Sequence, residues 1–381
     1  MKVADVTAFV VSPGWVFVRV RCEDGALGWG ECGITSRAKT IRSAVDELGV
    51  LLIGRDPRCI EANWQLLKRS SFYTGGPILA AASAGIDIAL WDLTARSHGI
   101  SIHELLGGAV RTRVPAYAWI GSDDDDDPGN LADEAFGKIA AGYWAVKMSA
   151  RVAEALPTQA EIARVVSGAE AIRTKLGPEG RFAIDLHGRF TGPAGRLLLR
   201  ALEPSAPLFV EEPTRPEFPR QISELTRSTI IPIAAGERQF ERREFLPLFE
   251  AGIAIAQPDV AEAFGISETR RIASMAEMYG ISVAPHCAIG PIALAASLQV
   301  ASAIPNLLTL EQDADVFSDG FSRYLVTTAL FQPHEGYLEV PLGPGLGIEV
   351  NEEAVETDAA TGPVPWAPPI WHHPDGSYAD W

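Results

Sequence analysis

Six segments of the chain place an acid or a histidine directly after a short apolar run. They are FAIDLH (Asp185, His187), LFVEE (Glu211, Glu212), PIAAGE (Glu237), IAIAQPD (Asp259), SVAPH (His286) and LLTLE (Glu311). A further run, YWAVK, ends in Lys147. Asp185, Glu211 and Glu237 close three consecutive runs. If those runs are neighbouring strands, three carboxylates converge. Such a cluster repels itself and takes up protons unless a cation neutralises it. All-oxygen donors without Cys or His favour Mg²⁺ over zinc, with substrate oxygens and water completing the octahedron. Salt bridges to barrel arginines are the other fate open to strand-end carboxylates, and three in succession favour the metal. Glu212 adjoins Glu211 and should face the other way, in an ion pair behind the ligand. A bulge at the strand end would exchange the two.

Asp259 and His286 end the next two runs. A carboxylate accepting the imidazole Nδ1–H fixes the tautomer and raises basicity, which makes His286 a candidate general base. A purely structural hydrogen bond below the site is the simpler role for such a pair. His187 lies two residues after Asp185, so on a continuing strand it shares the metal's cavity, as general acid or as ligand. With three oxygen ligands already proposed, the acid role is preferred. Lys147 is expected to meet a substrate carboxylate lying between it and the metal, or else to snorkel to the surface. Glu311 can hydrogen-bond the other carboxylate oxygen if it is protonated, which requires a raised pKa. Together these groups fit abstraction of the proton next to a carboxylate, with the metal stabilising the charge that develops on oxygen. Loss of a β-hydroxyl with acid help from His187 would complete an elimination of water.

The positions 185, 211, 237, 259, 286 and 311 recur at intervals of 26, 26, 22, 27 and 25 residues. Apolar strands at this interval, each ending in a charged group, predict a β/α barrel with its chemistry at the strands' C-terminal ends. Strands are expected near 114–120, 143–147, 181–185, 208–211, 231–235, 253–257, 282–285 and 307–311. Helices such as 157–177 and 266–280 lie between them and supply right-handed crossovers. Ahead of the barrel, residues 1 to about 34 read as strands, with VFVRVRC alternating and Asp24-Gly25 turning. Helical patterns follow at 38–54 and 80–99, the latter stopped by Gly99. The expected fold is α/β: a modified (β/α)7β barrel over 114–330, with an α+β capping domain from residues 1–113. The turn-rich tail, 331–381, is expected to pack back on that cap.

A chain of 381 residues with 32 basic and 49 acidic side chains, net −17, disfavours nucleic acid or an anionic membrane as partner. A small anionic substrate remains compatible, because a metal or local cations override the global field. The N-terminus, MKVADVTAFVV, reads as a first strand rather than a signal peptide, and no apolar stretch approaches a bilayer's span. Cys22, Cys32, Cys59 and Cys287 lack CxxC spacing, so reduced thiols in a cytoplasmic protein are expected. Five aspartates, Asp123 to Asp127, form either a cation site or a solvated loop. Adjacent aspartates point apart, which favours the loop.

The segments WDLTARSHGISIHELLGG (91–108), DLHGR, VEEP, IAAGER, QPDV, APHCAIGPIALAAS and GPGLGIEV resemble the enolase superfamily in its mandelate racemase branch. A Lys or His base working with Mg²⁺ is already associated with that superfamily. The closing WHHPDGSYADW, with DLHGR, LFVEEP and AAGER, brings the chain nearest the galactonate dehydratases of the branch. The resemblance implies Asp185, Glu211 and Glu237 as Mg²⁺ ligands, His286 as base with Asp259, His187 as acid, and Glu311 as a carboxylate contact. It implies a 2-keto-3-deoxy sugar acid as product and a homo-oligomer, perhaps an octamer.

Racemases of the branch end the second strand Lys-x-Lys, whereas here it reads Lys147-Met148-Ser149. The base for the opposite face is missing, and Ser149 stands where the galactonate dehydratases carry Asn. Loops at 30–35, 261–264 and 313–316 also depart from them. Specificity in the branch is expected from the first module closing over the barrel mouth, here through Trp15 and Tyr73. Both aromatics are equally suited to cap core or subunit contacts. Two other functions compete with dehydration. An epimerase at C2 would set His187 opposite His286, and a silent homologue would bind an acid sugar without turnover.

Overall fold

A computed structural model describes residues 1–121, 127–150, 157–312, 322–363, 370–373 and 375–379. Strands β1 (Val3–Val11), β2 (Trp15–Cys22) and β3 (Leu27–Cys32) form an antiparallel sheet in the order β1-β2-β3. Helices α1 (Ala38–Gly49), α2 (Ile60–Arg69), α3 (Pro77–His98) and the short α4 (Ile102–Leu105) follow. The left-handed Gly99 ends α3, as its position in the sequence predicts.

Helix α3 corrects one expectation. By length and composition it is apolar enough to cross a membrane. Asp87, Asp92 and Arg96 hide this in the sequence. In the fold, 83% of the apolar window is buried inside the protein. Its acids are satisfied there: Asp87 accepts from Ser267, and Asp92 from the Trp29 and Leu346 backbone N–H groups. The helix presses backbone to backbone on β3. A Cβ at Gly30 would stand 1.9 Å from the Gly85 carbonyl oxygen, so only glycine permits this approach.

From residue 113 strands and helices alternate. They run β4 (Arg113–Ile120), α5 (Pro128–Ala140), β5 (Ala145–Ser149), α6 (Gln159–Leu176), β6 (Phe182–Asp185), α7 (Gly192–Leu202) and β7 (Val210–Glu211). Next come α8 (Pro219–Thr226), β8 (Ile233–Ala235), α9 (Arg242–Ala251), β9 (Ile255–Ala256), α10 (Gly265–Met278), β10 (Ser282–Val283), α11 (Pro291–Ala303) and β11 (Leu310–Gln312). Local signals place several boundaries. Asp127 caps α5 through the Gly129 and Asn130 N–H groups, and Thr158 and Glu161 form a capping box on α6. The strands pair in parallel in the order β10-β9-β8-β7-β6-β5-β4-β11. The ends of this path meet through a parallel bridge between Val283 and Leu307, where Leu308 N–H donates to the Val283 carbonyl. The result is the expected (β/α)7β barrel, with strands β7 to β10 shorter than the apolar runs that announce them.

A last strand, β12 (Tyr337–Glu339), adds antiparallel to β4. The helix Glu352–Ala360 lies against β1 and β2, where Arg19 pairs with Glu352 and Glu356 and Asp358 accepts the Ser12 N–H at 2.7 Å. Further on, Trp371 lies over the guanidinium of Arg189, two residues past His187. Cap and barrel are also joined by Glu31, which is fully buried. Its carboxylate accepts the Gly290 and Ala293 N–H groups, each at 2.8 Å, at the start of α11. Glu31→Ala strands both donors and is expected to lower unfolding stability by about 2–4 kcal/mol, measured by urea denaturation.

Candidate active site

Strand alternation builds the site. Tyr117, Ala145, Ala183, Phe209, Ala234, Ile255 and Ala284 form a separate apolar cluster, one residue from each of seven barrel segments. Two residues beyond Ala145, Ala183, Phe209 and Ala284 come Lys147, Asp185, Glu211 and His286. A period of two sends them inward as well, one layer nearer the mouth. Small alanines in the lower layer leave room on the axis for the long polar side chains above.

Asp185, Glu211 and Glu237 each offer an oxygen, and the three oxygens lie within 4.8 Å of one another. Asp185 and Glu211 are buried, while the Glu237 side chain is 17% exposed. Glu211 Oε2 accepts from Lys147 Nζ at 2.8 Å and from Gln257 Nε2 at 2.7 Å. Its other oxygen, Oε1, is buried without a hydrogen-bond partner. A buried, unpaired carboxylate oxygen beside two further carboxylates is the donor set a hard divalent cation takes. The residues present therefore fit a bound metal. Burial and the Asp185 charge push Glu211 well above the ordinary carboxylate range, against the pull of Lys147. At Asp185 burial also acts upward, but His187 and Lys147 outweigh it and hold this carboxyl low.

Lys147 sits deeper than its sequence position implies. Strand β5 continues past it, so that Ser149 rather than Lys147 pairs with Asp185 at the rim. The ammonium is buried and points at Glu211 (2.8 Å), Glu311 (2.9 Å) and Asp185 (3.3 Å), with the Tyr117 ring 5.5 Å away. Three carboxylates occupy its three donors. It stands as their common counter-ion instead of facing an open cavity. The expectation of a protonated Glu311 is also corrected: burial raises its pKa, but Lys147 and His286 outweigh this and keep it ionised. It accepts the Cys287 N–H at 3.3 Å.

His286 Nδ1 lies 2.7 Å from Asp259 Oδ2, and Asp259 Oδ1 accepts the Ala261 N–H at 2.7 Å. The aspartate is thus held at both oxygens. The other imidazole nitrogen, Nε2, lies 3.5 Å from Glu237 and 3.8 Å from Glu311. Burial alone depresses the imidazole pKa. Glu311, Glu237 and Asp259 together overcome this and hold it well above the ordinary histidine value. On the far side of the triad, His187 Nε2 is 3.3 Å from Asp185 Oδ2. Its Nδ1 meets Ser149 Oγ at 3.3 Å, and its backbone N–H donates to Asp185 Oδ1.

Two strand-end residues, His187 (φ 48°) and Glu212 (φ 38°), adopt left-handed backbone. For residues other than glycine this costs about 1–3 kcal/mol and is concentrated at functional sites. The turn at Glu212 swings its carboxylate away from Glu211 and onto Arg238, at 2.8 Å, the ion pair expected from alternation. Burial and Glu237 raise the Glu212 pKa to about 8 despite that arginine.

The two aromatics proposed for specificity are not brought to this cluster. Trp15 is 2% exposed and packed between Phe17 and Tyr324, in the core shared by cap and barrel. Tyr73 is 81% exposed and edge-on to Phe72. It lines a cavity of about 260 Å³ with Lys68, Leu79 and Phe264, away from the carboxylates. Asp123–Asp126 and the loop 313–316 lie outside the described residues, and Asp127 is the α5 cap. Conversely, Gln257 and Tyr117 stand at the site, against Glu211 and Lys147, without having been singled out. Gln257 was legible in principle, since it lies two residues before Asp259 on the same face.

Comparison with known proteins agrees with this geometry. Residues 6–107 match the mandelate racemase / muconate lactonizing enzyme N-terminal domain, and residues 130–354 match the enolase C-terminal domain-like family. A D-galactonate dehydratase of Variovorax paradoxus is 40% identical over 386 residues, with both chains covered completely. One of Ralstonia nicotianae is 41% identical over 390 residues, again with complete coverage of both. Among solved structures, an enolase from Agrobacterium radiobacter, with galactarate dehydration as its suggested activity, was determined with sodium and L-malate bound. It superposes with a TM-score of 0.91 at 33% identity and covers 100% of both chains. The chain belongs to the enolase superfamily, in its mandelate racemase / muconate lactonizing enzyme family, as a galactonate dehydratase-like hydro-lyase.

Proposed function

We propose that the chain is a Mg²⁺-dependent acid-sugar dehydratase that converts an aldonate of the galactonate type into its 2-keto-3-deoxy acid. The observation that carries this reading is the placement of two imidazoles at opposite ends of the carboxylate triad. His187 lies beside Asp185 at 3.3 Å, and His286 lies beside Glu237 at 3.5 Å. The names of the relatives, D-galactonate dehydratase, support the substrate class. Mg²⁺ held by Asp185, Glu211 and Glu237 supplies positive charge where the substrate carboxylate gains negative charge.

The remaining work falls to the chain's own groups. His286 Nε2 takes the proton from C2, while Asp259 holds Nδ1–H and with it the tautomer. The C3–O bond then breaks, and His187 gives its proton to the departing hydroxyl, which leaves as water. The enol that remains becomes the 2-keto acid by taking a proton at C3 and losing the proton on its C2 oxygen. Ser149 offers a hydroxyl and no base at the opposite face, which favours elimination over epimerisation.

The test is a panel of aldonates and aldarates with Mg²⁺, assayed for 2-keto acids and, in D₂O, for exchange at C2. Keto-acid formation from an aldonate is expected, and a panel without any product overturns the reading. His187→Asn is expected to slow dehydration by about 10²–10⁴-fold while C2 exchange continues. Loss of both together would remove the acid role from His187.

A further inference from the structure

His286 stands beyond the end of its strand. Strand β10 stops at Val283, three residues earlier, so the strand ladder does not by itself fix the imidazole. The cap supplies an anchor. Glu31, at the end of β3, is fully buried, and its two oxygens accept the Gly290 and Ala293 N–H groups, each at 2.8 Å. Gly290 closes the loop that begins at His286, and Ala293 lies in the first turn of α11. The approach is tight: a Cβ at Gly290 would stand 2.2 Å from Glu31 Oε1. Within the barrel the same loop is held by the Cys287 N–H on Glu311, at 3.3 Å. That bond is the longest of the three, so the two bonds to the cap carry more of the loop's position. The other half of the base pair is tied to the same stretch of cap. Gly33 N–H donates to the Ala261 carbonyl at 2.9 Å, and Ala261 gives its own N–H to Asp259 Oδ1 at 2.7 Å. Residues 31–33 thus hold the loop that follows His286 and the loop that follows Asp259 in one frame.

We propose that Glu31 is a positioning residue for proton abstraction, its carboxylate setting where His286 Nε2 stands relative to the metal triad. The inference rests on the base role given to His286 above. Proton transfer is steep in distance, and displacing a reacting group by about 1 Å costs up to about 10²-fold in rate. A buried carboxylate that holds two N–H groups fixes a loop more stiffly than neutral contacts do, because charge-assisted hydrogen bonds are shorter and stronger. Docking of the cap is therefore part of the chemical step, in addition to its part in stability.

D-galactonate and its C2-deuterated form, given to the intact protein with Mg²⁺, separate a positioning contact from a staple. Glu31→Ala is expected to lower kcat by about 10–10²-fold with KM changed less than about threefold, and to enlarge the deuterium isotope effect on kcat. Glu31→Gln keeps the volume and one acceptor, and should recover part of the lost rate. Ser267→Ala breaks a different bond between cap and barrel, the one from Ser267 Oγ to Asp87 at 2.7 Å. It should lower the melting temperature yet leave kcat and the isotope effect at their wild-type values. Backbone hydrogen exchange followed by mass spectrometry adds a readout without turnover. Exchange across residues 284–289, which include neither donor to Glu31, should quicken in Glu31→Ala, while residues 182–186 keep the wild-type rate. An isotope effect unmoved in folded Glu31→Ala, or enlarged equally in Ser267→Ala, would overturn the inference. If the wild type converts neither D-galactonate nor any other acid of the panel, the dehydratase reading falls and exchange alone decides. Quickened exchange across 284–289 then sustains the hold of Glu31 on the His286 loop, and unchanged exchange removes it.

Discussion

His286→Asn should lower kcat by about 10³-fold or more and abolish exchange of the C2 proton, with the metal still bound. The size of the effect follows from how completely the geometry commits this one imidazole. Its Nδ1 is tied to Asp259 at 2.7 Å, and Asp259 is itself anchored by the Ala261 N–H, so ring and tautomer are both fixed. Only Nε2 faces the triad. Glu311, Glu237 and Asp259 raise its basicity against the cost of burial. Asparagine preserves a polar side chain of similar reach to Asp259 but cannot take the proton. Asp259→Asn should be nearly as damaging, about 10²–10⁴-fold in kcat, because an amide can hold the ring in the wrong tautomer. Calorimetric titration with Mg²⁺ separates catalysis from metal binding: both variants should bind the ion as the wild type does. Persistent C2 exchange in His286→Asn would show that another group is the base.

Much of this site was legible because strand alternation is strict. Ala183 and Asp185 share a face of β6, and an interval near 25 residues leaves a parallel barrel as the natural closure. Depth was harder to read. Lys147 ends its apolar run, so it looked like a rim residue. The strand in fact continues to Ser149, and two more residues of β5 bury the lysine beneath the acids. That difference changes its partner from a substrate to three protein carboxylates. Burial of α3 was obscured in the opposite way, since Asp87 and Asp92 interrupt its apolar run yet are satisfied inside. Trp15 and Tyr73 have sequence contexts that do not distinguish core from mouth, and the fold sends one to each extreme of exposure. Glu31 and Glu262 make their contacts across cap and barrel, with partners more than two hundred residues away in sequence. No local pattern carries such contacts.

Lys147→Met is expected to reduce the stability of the metal-free protein by about 3–5 kcal/mol, the usual consequence of removing one partner from a buried ionic cluster. Methionine roughly matches the stem's volume, so the loss is of charge rather than of packing. In the wild type the ammonium lies between Glu211, Glu311 and Asp185 at 2.8–3.3 Å. It helps to hold Asp185 and Glu311 below their ordinary pKa values. Groups with depressed folded pKa values contribute stability that is present above the unfolded pKa and lost as pH falls through the folded one. Without the lysine, burial acts unopposed by it and raises these carboxyls. The sign then reverses: the variant loses stability as pH rises above the ordinary carboxylate range. The deficit relative to wild type should accordingly be small near pH 4 and grow towards pH 7, as followed by urea denaturation across that range. Mg²⁺ meets the same need for positive charge. At one saturating concentration of free ion, Mg²⁺ should therefore stabilise the variant by more than it stabilises the wild type, because loss of the neighbouring ammonium tightens binding of the cation. A deficit independent of pH would instead point to lost packing, and would show that Asp185 and Glu311 do not depend on Lys147 for their charge.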